Sequence, residues 1–322
     1  MAADPTPGRR GLLRFAPALT LLLFLGPVGA GLVGAALPAF GYLPALGGDG
    51  FSLDPWRRML AYPGLWGAVG ISLWTGLAAA GVSFALTIGF AAAAHGTRAF
   101  AVMQRLFAPL LAVPHAAFAI GLAFLLAPSG WMMRALSPWA TGAQVPPDIA
   151  LSPDPYGLNL VLALVVKETP FLFLMTVGAL AQVPAERTLA VARTLGYARA
   201  TAWLKTVLPL VYRQIRLPVF AVVAFSVSVV DVAILLTGST DPTLSLLIMR
   251  WANDPDLGFQ FLAAAGSCLQ LGVVLAAIGL WVAGERLVAG LGRRWTAAGG
   301  RSGGRLFAVA ARGGIGAVAA VG

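Results

Sequence analysis

Hydrophobic residues in this chain fall into long unbroken runs, not into stripes. A helix needs about 20 mostly apolar residues to cross the hydrocarbon of a bilayer. Stretches at residues 12–37, 65–94, 106–126, 158–183, 217–236 and 259–282 reach that length. Strands of a membrane barrel would alternate polar and apolar residues over about 10 positions, and these runs are continuous. Backbone groups in lipid must pair within their own segment, so each run predicts a helix. The expected fold class is an all-α membrane protein with six transmembrane helices. The first run follows Arg9, Arg10 and Arg14 and is longer than the roughly 7–15-residue apolar core of a secretory signal. It reads as a retained helix.

The polar positions between the runs set the orientation. With the N-terminus in the cytoplasm, the inner segments hold Arg9, Arg10, Arg14, Arg98 and Arg105, the cluster from Arg187 to Arg216, and the Arg residues from Arg286 onward. The outer loops hold Arg57, Arg58, Arg134 and Arg250, together with Asp49, Asp54, Asp148, Asp154, Asp241, Asp254 and Asp256. Lys and Arg concentrate on the cytoplasmic side of membrane proteins, so both termini are expected inside. Trp56, Trp66, Trp131, Trp139 and Trp251 lie near the outer ends of spans, where interfacial aromatics gather. Gly76 and Ala80 have the small-xxx-small spacing that lets helices approach closely. Pro114 and Pro170 are expected to interrupt spans three and four.

Composition agrees with this reading. The 322 residues are 59% hydrophobic and 11% charged, whereas a soluble domain carries about 25% charge. The formal charge of +10 does not point to nucleic acid, because the Arg residues sit in short inter-span segments. Cys268 is the one cysteine, which excludes an internal disulfide and a CxxC metal site. His95 and His115 are isolated, and no metal or other cofactor is expected. There is no GxxxxGK[ST] phosphate loop, so ATP is not bound by that device here.

The longest inner loop lies between spans four and five. Pro184 and Glu186 suit the first turn of a helix. Leu189, Ala192 and Leu195 follow at helical spacing, and Gly196 suits a C-cap. A second short amphipathic stretch carries Trp203, Leu204 and Val207 among Arg199 and Lys205, and Pro209 is expected to close it. Such a helix pair at the cytoplasmic face suits the groove of a soluble partner.

This loop resembles the EAA loop of binding-protein-dependent ABC importer permeases of the type I fold. That pattern is Glu-Ala-Ala, three residues, Gly, nine residues, Ile, one residue, Leu-Pro. Here Ala190-Val191-Ala192 is followed by three residues and Gly196, then after nine more by Thr206, Val207, Leu208 and Pro209. Ala190 stands at the Glu position, Val191 at the first Ala and Thr206 at the Ile. The resemblance implies that Ala190, Ala192, Gly196, Leu208 and Pro209 belong to an ATPase-coupling loop. It implies an importer's permease subunit in the inner membrane, itself no enzyme. The implied partners are two ABC ATP-binding subunits, a second permease half, and a periplasmic or lipoprotein substrate-binding protein. It also implies three regions: an N-terminal helix and outer loop at 1–64, a five-span permease core at 65–285, and a Gly/Arg-rich cytoplasmic tail at 286–322. The segments Asp154-Pro155-Tyr156-Gly157-Leu158 and Lys167-Glu168-Thr169-Pro170 are most similar to a thiamine-type permease group, whose chains often carry two such halves. The apolar stretch 306–322 reads either as a remnant of a second half or as a surface tail.

Three ionisable residues fall within the spans: Lys167, Glu168 and Asp231. Each costs about 2.5–3.5 kcal/mol on insertion scales, so each should face protein or water. Lys167 is placed to pair with Asp231 on span five. The three residues either line a translocation path or pin the bundle together. The rival to the importer is a proton-coupled secondary transporter using Glu168 and Asp231.

Overall fold

A computed structural model describes residues 15–142, 144–145, 154, 156–237 and 242–297. Arg9, Arg10, Arg14, Asp148, Asp241 and the stretch 306–322 lie outside the described residues. Every long element is a helix: α1 (Ala16–Ala39), α2 (Asp54–Leu60), α3 (Leu65–Ala94), α4 (Arg98–Ala112), α5 (His115–Leu126), α6 (Trp131–Leu136) and α7 (Leu158–Leu180). Then come α8 (Ala185–Thr194), α9 (Arg199–Ala202), a π turn (Trp203–Val207), α10 (Leu208–Ser228), α11 (Ala233–Leu236), α12 (Leu244–Ala252) and α13 (Phe259–Ala297). Among the described residues, six stretches are long and apolar enough to cross a membrane: Ala16–Ala39, Leu65–Ala94, His115–Leu136, Leu158–Leu180, Arg199–Ser228 and Phe259–Ala297.

Spans one, two and four fall close to the apolar runs that predict them. The other three differ, each for a backbone reason. The run at 106–126 is not one helix. Pro114 has no N–H and forces Val113 out of the helical region, with ψ at 123°, so α4 ends at Ala112 and α5 starts at His115. The crossing segment is then His115–Leu136. Pro170, by contrast, sits inside α7 without breaking it. Span five starts earlier than expected and stops earlier, because α9, the π turn and α10 run on into one another. Pro209 opens α10 instead of closing the short helix before it. Span six continues past Arg286 to Ala297, into the stretch expected to begin the Gly/Arg-rich tail.

The chain divides into two compact units, Met1–Leu65 with Ile248–Leu271 and Trp66–Leu247 with Gly272–Gly322. In the first unit, α1 is apolar all round and exposed, with Phe24 75% accessible, as a lipid-facing helix should be. The loop after it folds on itself through a Leu43–Gly48 bridge and a stacked Tyr42–Phe51 pair 5.5 Å apart. Trp251 is buried, edge-on to Tyr62 at 4.9 Å.

In the second unit, α3 packs against both α10 and α7. Gly76 meets the Val227 backbone of α10, and Phe84 meets Tyr212, so the two helices run antiparallel. Thr75 lies against Gly157, and Phe90 against Phe173, so α3 and α7 run parallel. Those directions are what successive crossings of a bilayer require. Ala79, Ala119, Leu122, Leu160, Leu164 and Leu236 form part of a buried cluster that joins α3, α5, α7 and α11. The start of α7 is capped by Asp154, whose carboxylate accepts from the Leu158 and Asn159 N–H groups at 2.7 and 2.8 Å. A carboxylate there also suits the positive end of the helix dipole. Gly157, at φ +69°, makes the turn into α7. A Cβ there would lie 2.5 Å from Thr75.

Candidate functional site

The loop between spans four and five folds as a helix, a glycine turn and a second helix. Pro184 stands at the N-cap of α8. The helix ends in a Schellman motif: the Gly196 N–H donates to the Arg193 carbonyl at 3.0 Å and the Tyr197 N–H to the Ala192 carbonyl at 3.2 Å. Gly196 adopts φ +80°, a left-handed conformation that other residues enter at a cost. The second arm is α9 and the π turn. Pro209 leaves the Lys205 carbonyl without its helical donor, and the helix widens at that point before continuing as α10.

One side of this loop is held by the bundle and the other is presented to solvent. Ala185, Ala192, Ala202, Trp203 and Val207 are buried. Val191 on α8 and Leu195 at its C-cap, one turn apart, are 62% and 55% exposed. Ala190 is exposed beside them. The expected stripe of Leu189, Ala192 and Leu195 is therefore split, with Ala192 inward and Leu195 outward. Val191 joins Leu195 instead, which the matching of spacings alone did not bring out. Two grooves flank α8. One, of about 490 Å³, is lined by His95, Gln182 and residues of the α7–α8 turn. The other, of about 690 Å³, is lined by Val191, Leu195, Tyr197, Lys205 and Thr296. Leu208 is half-buried at the start of α10 and Pro209 is exposed.

The loop is fastened to the end of α3 at His95. The Arg199 guanidinium donates to the His95 carbonyl, and Glu186 Oε1 lies 3.8 Å from His95 Nδ1. Burial holds the His95 pKa below the usual histidine value; Glu186 pulls it up and Arg199 pushes it down. A lowered folded value means that the unfolded chain takes up a proton first as pH falls. The protein should thus lose stability as pH drops below about 6.5, until the lowered folded pKa is passed. Thermal midpoints in detergent at pH 7.5 and 5.5 test this. The acid-induced drop should be smaller in His95→Gln than in the parent, and equal drops would contradict the assignment.

The charges within the spans are arranged around the break in the third span. Lys167 is 6% exposed, and its Nζ donates to the Leu110 and Val113 carbonyls at 2.8 and 2.6 Å. In an unbroken helix the Leu110 carbonyl would accept from residue 114, which is proline and has no N–H. Lys167 supplies the missing donor, so its partner is the broken end of α4 and not Asp231. Glu168, next in sequence, accepts from or pairs with His115 Nε2 at 3.1 Å, at the first residue of α5. The ring of His115 also lies 4.9 Å from that of Phe225. The two charges therefore serve the two ends of one broken helix. His115 was legible only as an isolated histidine. The signal for it was its place directly after the breaking proline. Asp231 lies apart, exposed in the turn between α10 and α11. The Ser226 Oγ is buried with no hydrogen-bond partner among the described residues.

The six apolar helices define an all-α, multi-pass membrane protein. No protein-family model matches the chain. It is 33% identical over 269 residues to the inner membrane ABC transporter permease protein YnjC of Escherichia coli (strain K12), a match covering 82% of this chain and 48% of that protein. The chain is thus an inner-membrane relative of the ABC transporter permeases, and it spans about half the length of the curated relative it matches.

Proposed function

We propose that the chain is the permease subunit of an ATP-driven importer, carrying a small solute across the inner membrane. Both termini face the cytoplasm, and residues 65–285 form the permease core. Two ABC ATP-binding subunits dock on the loop at 184–209, a second permease half completes the path, and a substrate-binding protein delivers the solute from outside. The observation that carries this reading is the exposed Val191–Leu195 pair on a rigidly capped helix between two grooves. Apolar side chains presented beside a groove, on an otherwise charged loop, suit the docking of a partner protein. Ala190, Ala192, Gly196, Leu208 and Pro209 belong to this coupling element. Ala190 stands at the position where the related loops carry Glu, and Glu186, one turn earlier on α8, is the acid within the loop. The proton-coupled reading gives the Val191–Leu195 face nothing to bind. Purification of the tagged protein from its native membrane in mild detergent tests the proposal. A stoichiometric ABC ATP-binding subunit is expected. Folded protein without one would favour the proton-coupled transporter.

Lys167, Glu168 and Asp231 are assigned to the neighbourhood of the path, with different tasks. Lys167 holds the break in the third span, and Glu168 with His115 holds its far side. Asp231 is an exposed carboxylate in the turn just past span five, where water can reach it. In a Cys268→Ser background, Asp231→Cys should react quickly with a charged, membrane-impermeant thiol reagent. Leu164→Cys, fully buried on α7, should not. Equal protection at both positions would remove Asp231 from the path.

A further inference from the structure

We propose that Lys205 is a positioning residue that clamps the docking loop to the last span, so that a pull on the loop moves spans five and six as one body. The inference rests on the importer reading and adds the route by which the loop acts. Lys205 lies in the π turn that leads without a break into α10. Its Nζ donates to the Trp295 carbonyl at 3.1 Å. It sits 4.5 Å from the centre of the Trp295 ring and 5.1 Å from that of Tyr197. Trp295 lies in the last described turn of α13. Tyr197 is the residue after Gly196 in the α8 cap. One ammonium therefore ties the docking helix, the root of span five and the end of span six.

Deeper in the same unit, α10 and α13 are already joined. Arg216 pairs with Glu285 at 2.8 Å, Tyr212 donates to the same carboxylate, and Trp281 Nε1 donates to the Tyr212 hydroxyl at 3.0 Å. These contacts hold the two long helices together but do not reach the loop. Lys205 does, and it lines the groove beside Val191 and Leu195. A partner seated on that pair therefore bears on the clamp. A helix of 39 residues is about 58 Å long, roughly twice the hydrocarbon thickness. Its inner end thus projects far enough to meet the loop. The chain has two lysines, and both sit on carbonyls at or beside the end of a helix.

The test uses the complex co-purified from its native membrane, with spin labels at Arg193→Cys on α8 and Leu287→Cys on α13 in a Cys268→Ser background. The label-to-label distance is measured by pulsed electron resonance without nucleotide and with ATP and vanadate. The parent should give one narrow distance in both states. Lys205→Met should give a broadened distribution that shifts with nucleotide, and Lys205→Arg should restore the narrow one. Trp295→Leu keeps the carbonyl acceptor and removes only the ring contact, from its exposed side, where folding is not at risk. It should broaden the distribution less than Lys205→Met does, and the double variant should be no worse than Lys205→Met alone. A Lys205→Met distribution identical to the parent, or a parent distance that itself shifts with nucleotide, would overturn the clamp. If no ATP-binding subunit co-purifies with the parent, it is the importer reading that has failed, and the clamp's role falls with it.

Discussion

Gly76→Ala should remove most of the folded protein from the membrane. A Cβ at this position would lie 2.4 Å from Val227 Cγ2 and 2.8 Å from both the Cα and the N of Val227. The methyl carbon can rotate away; the two backbone atoms cannot. Helices α3 and α10 would have to separate, and α3 also carries the contacts to α7. Overpacking of this kind costs about 1–3 kcal/mol and sometimes more, and the rigid backbone contact places Gly76 at the upper end. Against a total stability of about 5–15 kcal/mol that is enough to lower abundance several-fold. Gly70 is the control. It lies on the same helix with nothing within 4 Å of its would-be Cβ, so Gly70→Ala should fold normally. Equal thermal midpoints for the two variants would show that the helices do not pack as closely as described.

Gly196→Val should give normal amounts of membrane protein that no longer retains an ATP-binding subunit. The left-handed φ of +80° costs a non-glycine residue roughly 1–2 kcal/mol, and a β-branched one more. Relief of that strain means unwinding the Schellman turn, which changes the angle between α8 and the arm leading into α10. Val191 and Leu195 would then leave their place between the grooves. Because Gly196 is exposed, the spans should be spared. Gly196→Asn, which tolerates this region better, should lose less of the partner than Gly196→Val. Unchanged retention in the valine variant would separate the turn from docking.

The spans that hydropathy located well are those in which chain and helix coincide. The run at 65–94 is one helix, Leu65–Ala94, and contains no proline. The run at 106–126 breaks at Pro114, as its residue type predicts, but the apolar window did not show that the crossing segment then starts at His115 and runs on to Leu136. Span five failed at both ends. Trp203, Lys205 and Thr206 look amphipathic in sequence, yet the backbone passes through them as a π turn into α10. At Val229 the chain turns extended, with ψ at 135°, within an unbroken apolar run. The same contrast holds for the site. Gly196 was readable because a cap has a residue signature. The partner of Lys167 was not, because a carbonyl acceptor leaves no mark on the residue that bears it. The charge argument matched Lys167 to Asp231, the nearest opposite charge on another span, while the chemistry used the two backbone groups freed by the proline.

The most direct test of the docking assignment places a photo-crosslinking amino acid at Val191 in the intact protein, in its native membrane. An adduct with an ABC ATP-binding subunit is the expected product. The same probe at Phe51, which is 74% exposed on the loop after α1 and is assigned to the outer face, should give none. An ATP-binding subunit captured from Phe51, or the absence of any such adduct from Val191, would contradict the account.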